Sequence, residues 1–298
     1  GIALTMPPIL AISMAVRAFR RIASPLADIM AAADSLAEGD LSARVAERGS
    51  RQFNQLVRSF NRMASELERN DQLRRNLTAD VAHELRTPLH IIQGNLEGIL
   101  DGVYDPSTDH ISATLEETRL LARLVDDLRT LSLAEAGQLQ LRMEDVELCG
   151  ILEDVGTSFS GQAESQGISL LVDCAESVTG LSMTLDAGRI NQVLSNLVVN
   201  ALRHTPTGGV TLRASRTAEG VQITVEDTGE GISSDDLPHI FDRFWRGDRS
   251  RTRTSGVGGG LGLSIARQLI QSHNGRIEVE SVQGAGTTFT IWLPFGED

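Results

Sequence analysis

From Ile22 onward the apolar positions fall at steps of four and three: Ile22, Leu26, Ile29, Ala33 and Leu36. That seam stops at Gly39, in EGDLSARV, and after a connector a second begins with Phe53, Leu56, Phe60, Met63 and Leu67. A four-three repeat lays one apolar stripe along a helix, and two short heptad helices joined by an extended connector suit a parallel coiled-coil assembly of identical chains. The second helix meets no breaker before Pro88 and is predicted to run on to about Leu100, with Gly102 and Pro106 marking the turn that follows. A further stripe, Leu121, Leu124, Leu128 and Leu131, closes at Gly137. Two long helices with a short loop make an antiparallel hairpin, and two hairpins make a four-helix bundle, so the pattern predicts a homodimer through this region.

After about Glu144 the period changes. ISLLVD, GVTLRAS, VQITVED, RIEVES and TTFTIWLP read as strands; CGILEDVGTSFSGQAESQ, AGRINQVLSNLVVNALRH and LGLSIARQLIQSH read as helices. Strands and helices mixed without regular βαβ alternation predict a two-layer α+β sandwich. The polar, glycine- and arginine-rich segment from Gly229 to Gly260 is long enough to be a mobile loop. At the other end, the chain is apolar from Ile2 to Val16 and then carries Arg17, Arg20 and Arg21. This run fits the trailing end of a transmembrane helix with its arginines on the cytoplasmic side, and equally a buried soluble helix. Charges that follow the apolar run instead of preceding it argue against a signal peptide. Gly1 in place of Met marks a fragment or a processed chain.

Composition narrows the class. At 298 residues the chain has room for two or more domains, and its 4% aromatic content favours long helices over an all-β chain. A net charge of −13 argues against nucleic-acid binding as its main business. All 27 basic residues are arginine, which reads as codon bias. Cys149 and Cys174 lack any metal-ligand or CxxC spacing and read as small buried hydrophobes in a reducing compartment.

Four constellations carry candidate chemistry. In TADVAHELRTPLH, His83 is followed by Glu84, Arg86, Thr87 and Pro88. A lone helical histidine is usually structural, and zinc of the HExxH kind is excluded because the second histidine position is Thr87. Glu84 can accept from one ring nitrogen and leave the other nucleophilic, and Arg86 can meet phosphate oxygens. Pro88 cannot donate to the carbonyl of Glu84, so a bend is expected beside the histidine. In NQVLSNLVVNALRHTPTGG, Asn196 and Asn200 share a stripe with Arg203 and His204, which is either a polar solvent face or an oxygen source for a hard cation such as Mg²⁺. In VEDTGEGI, Asp227 ends a strand before two glycines, either as an ordinary Asp-Gly turn or as an acceptor for an exocyclic amine. In SGVGGGLGLSIARQLI, glycines run into an amphipathic helix whose free amides suit phosphate. No lysine follows, and Leu261 breaks the dinucleotide GxGxxG spacing.

HELRTP, NLVVNALRHTP, DTGEGI, FDRFWRG and GGGLGLSIARQLIQSHNGRIEVES, in this order, resemble a bacterial two-component sensor histidine kinase over about nine-tenths of the chain. The heptads behind the arginine-flanked apolar end, with Pro25 opening the first helix and FNRM in the second, resemble a HAMP linker, although SRQFNQL departs from that family's usual opening. The division implied is 1–16, the end of a transmembrane helix; 17–71, HAMP; 72–140, the dimerisation and phosphotransfer hairpin; and 145–298, an ATP-binding domain similar to those of gyrase and heat-shock chaperones. By resemblance His83 is the phosphoacceptor and Glu84 its orienting acid, while Thr87 serves dephosphorylation of the regulator or merely bonds back into its helix. Asn196 ligates Mg²⁺, and Asn200, Arg203 and His204 lie near the phosphates of ATP. Asp227 holds the adenine amine in a pocket shaped by Gly229 and Gly231. Phe241 and Phe244 belong to the hinge of the nucleotide lid, and Gly258, Gly260 and Gly262 face the phosphates. Arg203 stands where lysine is common, keeping the charge with a different reach. The function implied is ATP-dependent autophosphorylation and transfer to an aspartate of a cognate response regulator, on the cytoplasmic side of the cell membrane. The rivals are a nucleotide-gated binding module without phosphotransfer, which has no need of HELRTP, and a purely structural coiled-coil linker, which leaves the nucleotide motifs unexplained.

Overall fold

The computed structural model describes residues 6–48, 51–245 and 260–295. The chain divides into two compact units, Gly1–Ala82 and His83–Asp298.

The first unit contains helix α1 (Met6–Ala37), a connector and the opening part of α2 (Arg51–Leu100). Ala32, Val45, Val57, Phe60 and Ala64 form a small core with Ile29 and Leu36 at its edge. Of the other stripe positions, Leu26, Leu56, Met63 and Leu67 stay exposed in the single chain, since two helices bury only one side of each stripe. The helix expected to open at Pro25 begins instead at Met6, because the apolar stretch before it is helical and continuous with it. Among the described residues no helix is long and apolar enough to cross a membrane. Gly39, at φ +101, turns the chain out of α1 where a side chain would be strained. The connector is then pinned by Asn61, whose amide accepts from Val45 N and donates to Val45 O, both at 2.9 Å.

In the second unit α2 runs helically through Pro88 and turns back into α3 (Thr108–Glu135). Ser107 caps α3 by accepting from His110 N, and Tyr104 stacks on His110 at 5.1 Å, closing the loop. Beyond α3 come β1 (Glu144–Glu147), α4 (Leu148–Gln166), β2 (Ile168–Cys174), β3 (Ser182–Leu185), α5 (Ala187–His204), β4 (Gly208–Arg216) and β5 (Gly220–Asp227). A 3₁₀ turn at Leu237–His239 precedes α6 (Gly262–Ser272), β6 (Arg276–Val282) and β7 (Gly286–Pro294). The main sheet has the order β2-β4-β5-β7-β6, with β2 and β4 parallel and the other pairs antiparallel. Helices α4, α5 and α6 layer against it around a core that includes Leu152, Leu194, Ile223, Ile265 and Phe289. This is the helical region followed by a mixed α/β sandwich that the periodicities predict. The short pair β1–β3 was not foreseen, because EDVE and SMTL carry too few apolar positions to announce a strand.

Cys149 is buried and Cys174 half-buried, and neither is in a disulfide. Burial and the neighbouring Cys149 thiol push the Cys174 thiol up to about 12, which leaves almost no thiolate at neutral pH.

Candidate functional site

Helix α5 carries the asparagines, and its position is set at both ends. Asp186 caps it, with Oδ1 accepting from Arg189 N at 3.0 Å and Oδ2 from Arg142 N at 2.8 Å. Buried His273 donates from Nδ1 to Leu269 O at 2.8 Å and accepts from Asp186 N through Nε2 at 3.2 Å. The apolar stripe Ile190, Val193, Leu194, Leu197, Val198, Ala201 and Leu202 faces the core, which leaves Asn196, Asn200 and His204 half-buried along the opposite edge and Arg203 exposed.

Asn196 Nδ2 donates to Gly262 O at 3.1 Å, at the first residue of α6. That bond commits the amide nitrogen and leaves the oxygen as the end able to bind a cation. Among the described residues no cluster of three or more His, Cys, Asp or Glu could cage a metal. A single amide oxygen suits Mg²⁺, which keeps several waters and commonly completes its shell with substrate phosphates.

Asp227 ends β5 and is 5% exposed. Its Oδ1 accepts from Gly229 N at 2.9 Å. Burial pushes its carboxyl above the usual range, against the pull of the Gly229 and Thr287 backbone N–H groups and the nearby His204. A side chain at Gly229 would strike the carbonyl of His204, and one at Gly231, where φ is +64, the carbonyl of Val282. What approaches there is protein backbone: these glycines let the end of α5 and the β6–β7 turn close in. Glu230 completes the closure: its N–H donates to His204 O at 3.0 Å and its Oε1 meets His204 Nδ1 at 2.9 Å.

Phe241 packs edge-on against core Phe289, with the Arg267 guanidinium 5.8 Å from its ring centre. Phe244 lies at φ +58, a conformation rare for a side-chain-bearing residue, and its N–H donates to Gly260 O at 3.0 Å. Gly258 lies outside the described residues, as do residues 246–259 of the segment expected to be a mobile loop between Gly229 and Gly260. Gly260 and Gly262 stand at the entrance to α6.

His83 is exposed on α2, and its ring makes no hydrogen bond or ion pair with any described residue. The expected bond from Glu84 is not formed, because consecutive helical residues project from different sides. Glu84 is half-buried and Arg86 exposed. Thr87 Oγ1 donates back to His83 O at 3.4 Å, the long end of a hydrogen bond, and the residue remains exposed.

Sequence reasoning missed the seam between α3 and the sandwich. Leu124 and Leu131 are 4% and 3% exposed within the same core cluster as α5 and α6. Arg189 Nη1 reaches Thr130 Oγ1 at 3.4 Å, Gln192 Nε2 reaches Asp127 Oδ1 at 3.5 Å, and Gln268 Nε2 reaches Ala134 O at 3.4 Å. Glu135 and Arg243 form an ion pair. Burial pushes the Asp127 carboxyl up to about 6, helped by Asp126 and opposed by Arg123 and Gln192. The heptad leucines announced an apolar face, but nothing in the sequence said which element would cover it.

A helical hairpin bearing an exposed histidine, followed by a sandwich with an asparagine helix, an Asp-Gly turn and a glycine-led helix, defines the sensor histidine kinases, and the chain belongs to that family. It matches the HAMP domain over residues 17–69, the His Kinase A (phospho-acceptor) domain over 73–137, and the histidine kinase-, DNA gyrase B- and HSP90-like ATPase over 185–297. It is 36% identical over 280 residues to the signal transduction histidine-protein kinase BaeS of Escherichia coli, covering 94% of this chain and 59% of BaeS. Among solved structures it is similar to the histidine kinase AdeS of Acinetobacter baumannii, with 32% identity, a TM-score of 0.61, and coverage of 72% of this chain and 98% of that one. It is also similar to the histidine kinase ThkA in complex with the response regulator protein TrrA, with 26% identity, a TM-score of 0.57, and coverage of 78% and 66%. The chain spans about half the length of the curated relatives it matches.

Proposed function

We propose that this chain is an ATP-dependent protein-histidine kinase that phosphorylates itself on His83 and passes the phosphoryl group to an aspartate of a separate response regulator. The observation that carries the proposal is an exposed, unpaired histidine within the phospho-acceptor match, on the same chain as an ATPase fold. The crystallised complex of ThkA with TrrA supports the regulator as partner class.

In this reading a ring nitrogen of His83 attacks the γ-phosphorus of ATP as the bond to the departing ADP oxygen breaks. There is little covalent chemistry for the protein to do, so positioning supplies most of the rate. Asp227 accepts from the adenine amine in the pocket that Gly229 and Gly231 close. Asn200, Arg203 and His204 lie toward the phosphates, with Gly258, Gly260 and Gly262 at the entrance to α6, and Phe241 and Phe244 flank the segment that covers the nucleotide. Mg²⁺ held through the Asn196 oxygen would supply positive charge beside the phosphates. Glu84 acts on His83 through the local field or through water, since no direct bond joins them. Thr87 holds a water in line for dephosphorylating the regulator, giving up its long back-bond to do so.

The domain division read from the sequence, 1–16, 17–71, 72–140 and 145–298, accompanies this proposal, as do a homodimer through the helical hairpin and attachment to the cell membrane before the HAMP region. Residues 1–5 of the proposed membrane end lie outside the described residues. A binding module that closes on ATP without transfer is the alternative. Incubation with ATP labelled at the γ-phosphate decides between them. The parent should take up acid-labile, base-stable label, and His83→Gln should take up none while still binding nucleotide. Full labelling of His83→Gln would place the acceptor elsewhere, and an unlabelled parent that binds ATP would favour the module.

A further inference from the structure

We infer that Glu135, the last residue of α3, is a positioning residue for the nucleotide pocket, acting on Asn196 through Arg243, Phe244, Gly260 and Gly262. The inference rests on the nucleotide reading of the pocket and extends it to a residue of the phosphotransfer hairpin.

The Glu135 carboxylate pairs with the Arg243 guanidinium, both side chains being about 30% exposed, so the pair is shielded more than a surface ion pair. The end of α3 is held against the sandwich independently by Gln268 on Ala134 O and by buried Leu131, which gives the carboxylate a fixed base. Arg243 is bonded covalently to Phe244, whose left-handed φ of +58 is unfavourable for a residue with a Cβ and persists only where its surroundings hold it. Two groups hold it there: the Arg243 ion pair on one side and the 3.0 Å bond from Phe244 N to Gly260 O on the other. Gly260 packs directly on Phe244, so closely that a Cβ on it would lie 2.7 Å from Phe244 Cα. Two residues further on, Gly262 O accepts the Asn196 amide at 3.1 Å.

The orientation of the Asn196 amide, and with it the direction of its oxygen, therefore depends on where Gly262 sits. Gly262 depends on Gly260, and Gly260 on a strained Phe244 steadied by Glu135. Among the described residues, the other α3 side chains that bond the sandwich, Thr130 and Asp127, meet α5 one to two turns before Asn196. By linkage, whatever moves the end of α3 changes the affinity for the Mg²⁺-bound nucleotide, and the nucleotide pulls equally on α3.

A double-mutant cycle tests this on the full chain, using calorimetric titration with a non-hydrolysable ATP analogue at several Mg²⁺ concentrations and in EDTA. Glu135→Gln and Arg243→Gln should each weaken binding about three- to tenfold with Mg²⁺ present, in line with loss of one partly shielded ion pair. In EDTA both should match the parent, because the path ends on the metal ligand. The double variant should bind no more weakly than the worse single, and Glu135→Arg with Arg243→Glu should recover most of the loss. Glu116→Gln, which breaks the exposed Glu116–Arg119 pair on the same helix, is the control and should match the parent. Thermal melting checks that each variant is folded. Single variants within twofold of the parent, additive losses in the double variant, or an equal loss with and without Mg²⁺ would each overturn the inference while leaving the pocket reading intact. A parent that binds no nucleotide overturns the pocket reading itself.

Discussion

Replacing Asp227 with Asn changes one oxygen of the proposed nucleotide pocket into an NH₂ group at nearly constant volume. In the parent the carboxyl is 5% exposed and accepts from the backbone N–H of Gly229 at 2.9 Å and from that of Thr287. A carboxylate accepts on both oxygens, whereas a carboxamide accepts on one and donates from the other. After Asp227→Asn the remaining oxygen can keep one backbone donor, and the new NH₂ then faces either the second backbone N–H or the adenine amine. A buried donor left facing a donor costs about 1–3 kcal/mol. Charged in the final complex, that penalty weakens ATP binding by roughly fivefold to 150-fold. Without nucleotide the effect on folding is smaller, because burial already raises the Asp227 pKa and removing the charge relieves part of that cost. Calorimetric titration of ATP into parent and Asp227→Asn, with melting curves of both without ligand, separates the two effects. An unchanged Kd in a variant that melts like the parent would refute the adenine assignment.

Three further outcomes are expected. Thr87→Ala should keep labelling of His83 while phosphorylated regulator persists longer in the presence of ADP; equal decay would leave Thr87 as the residue that bonds back to His83 O and nothing more. Asn196→Ala should bind ATP with a weakened response to Mg²⁺, and calorimetry showing the parent's full Mg²⁺ sensitivity would remove Asn196 as a ligand. The Asp127 carboxyl, raised by burial from 3.8 to about 6, disfavours the packed state progressively as pH rises from about 4 to 6, and by a constant amount above that. Asp127→Asn should accordingly raise the melting temperature above pH 6 and leave it unchanged near pH 4, and a difference that stays flat across this range would contradict the burial argument.

The long elements were legible because their periods are strong. The run from Phe53 to about Leu100 reads as one helix, and α2 spans Arg51–Leu100. The five longer strands and the three sandwich helices were visible as changes of period. What escaped was either short or without local signal. The pair β1–β3 is held by register with a partner about forty residues away, which no window along the chain contains. The Asn61 clamp on Val45 was overlooked within FNRM because an asparagine amide announces its partner only once the connector has folded beside it. At the site, residue types were legible and bond partners were not: Glu84 was expected on the His83 ring and does not bond it, whereas Glu230 pairs with His204 and was not foreseen.

By itself, the sequence determined the class of every long element, the order of the helical hairpin and the sandwich, and which residues are chemically able to accept a phosphoryl group, a metal or an adenine amine. These follow from side-chain chemistry and from periods of 3.5 and 2, both local properties of the chain. Only the tertiary structure decided that the glycines after Asp227 are filled by backbone, that the Asn196 amide is held by Gly262, and that the end of α3 is tied to Arg243. Each of these joins groups brought together by the burial of apolar surface, here Leu124 and Leu131 against α5 and α6, and burial is indifferent to sequence separation.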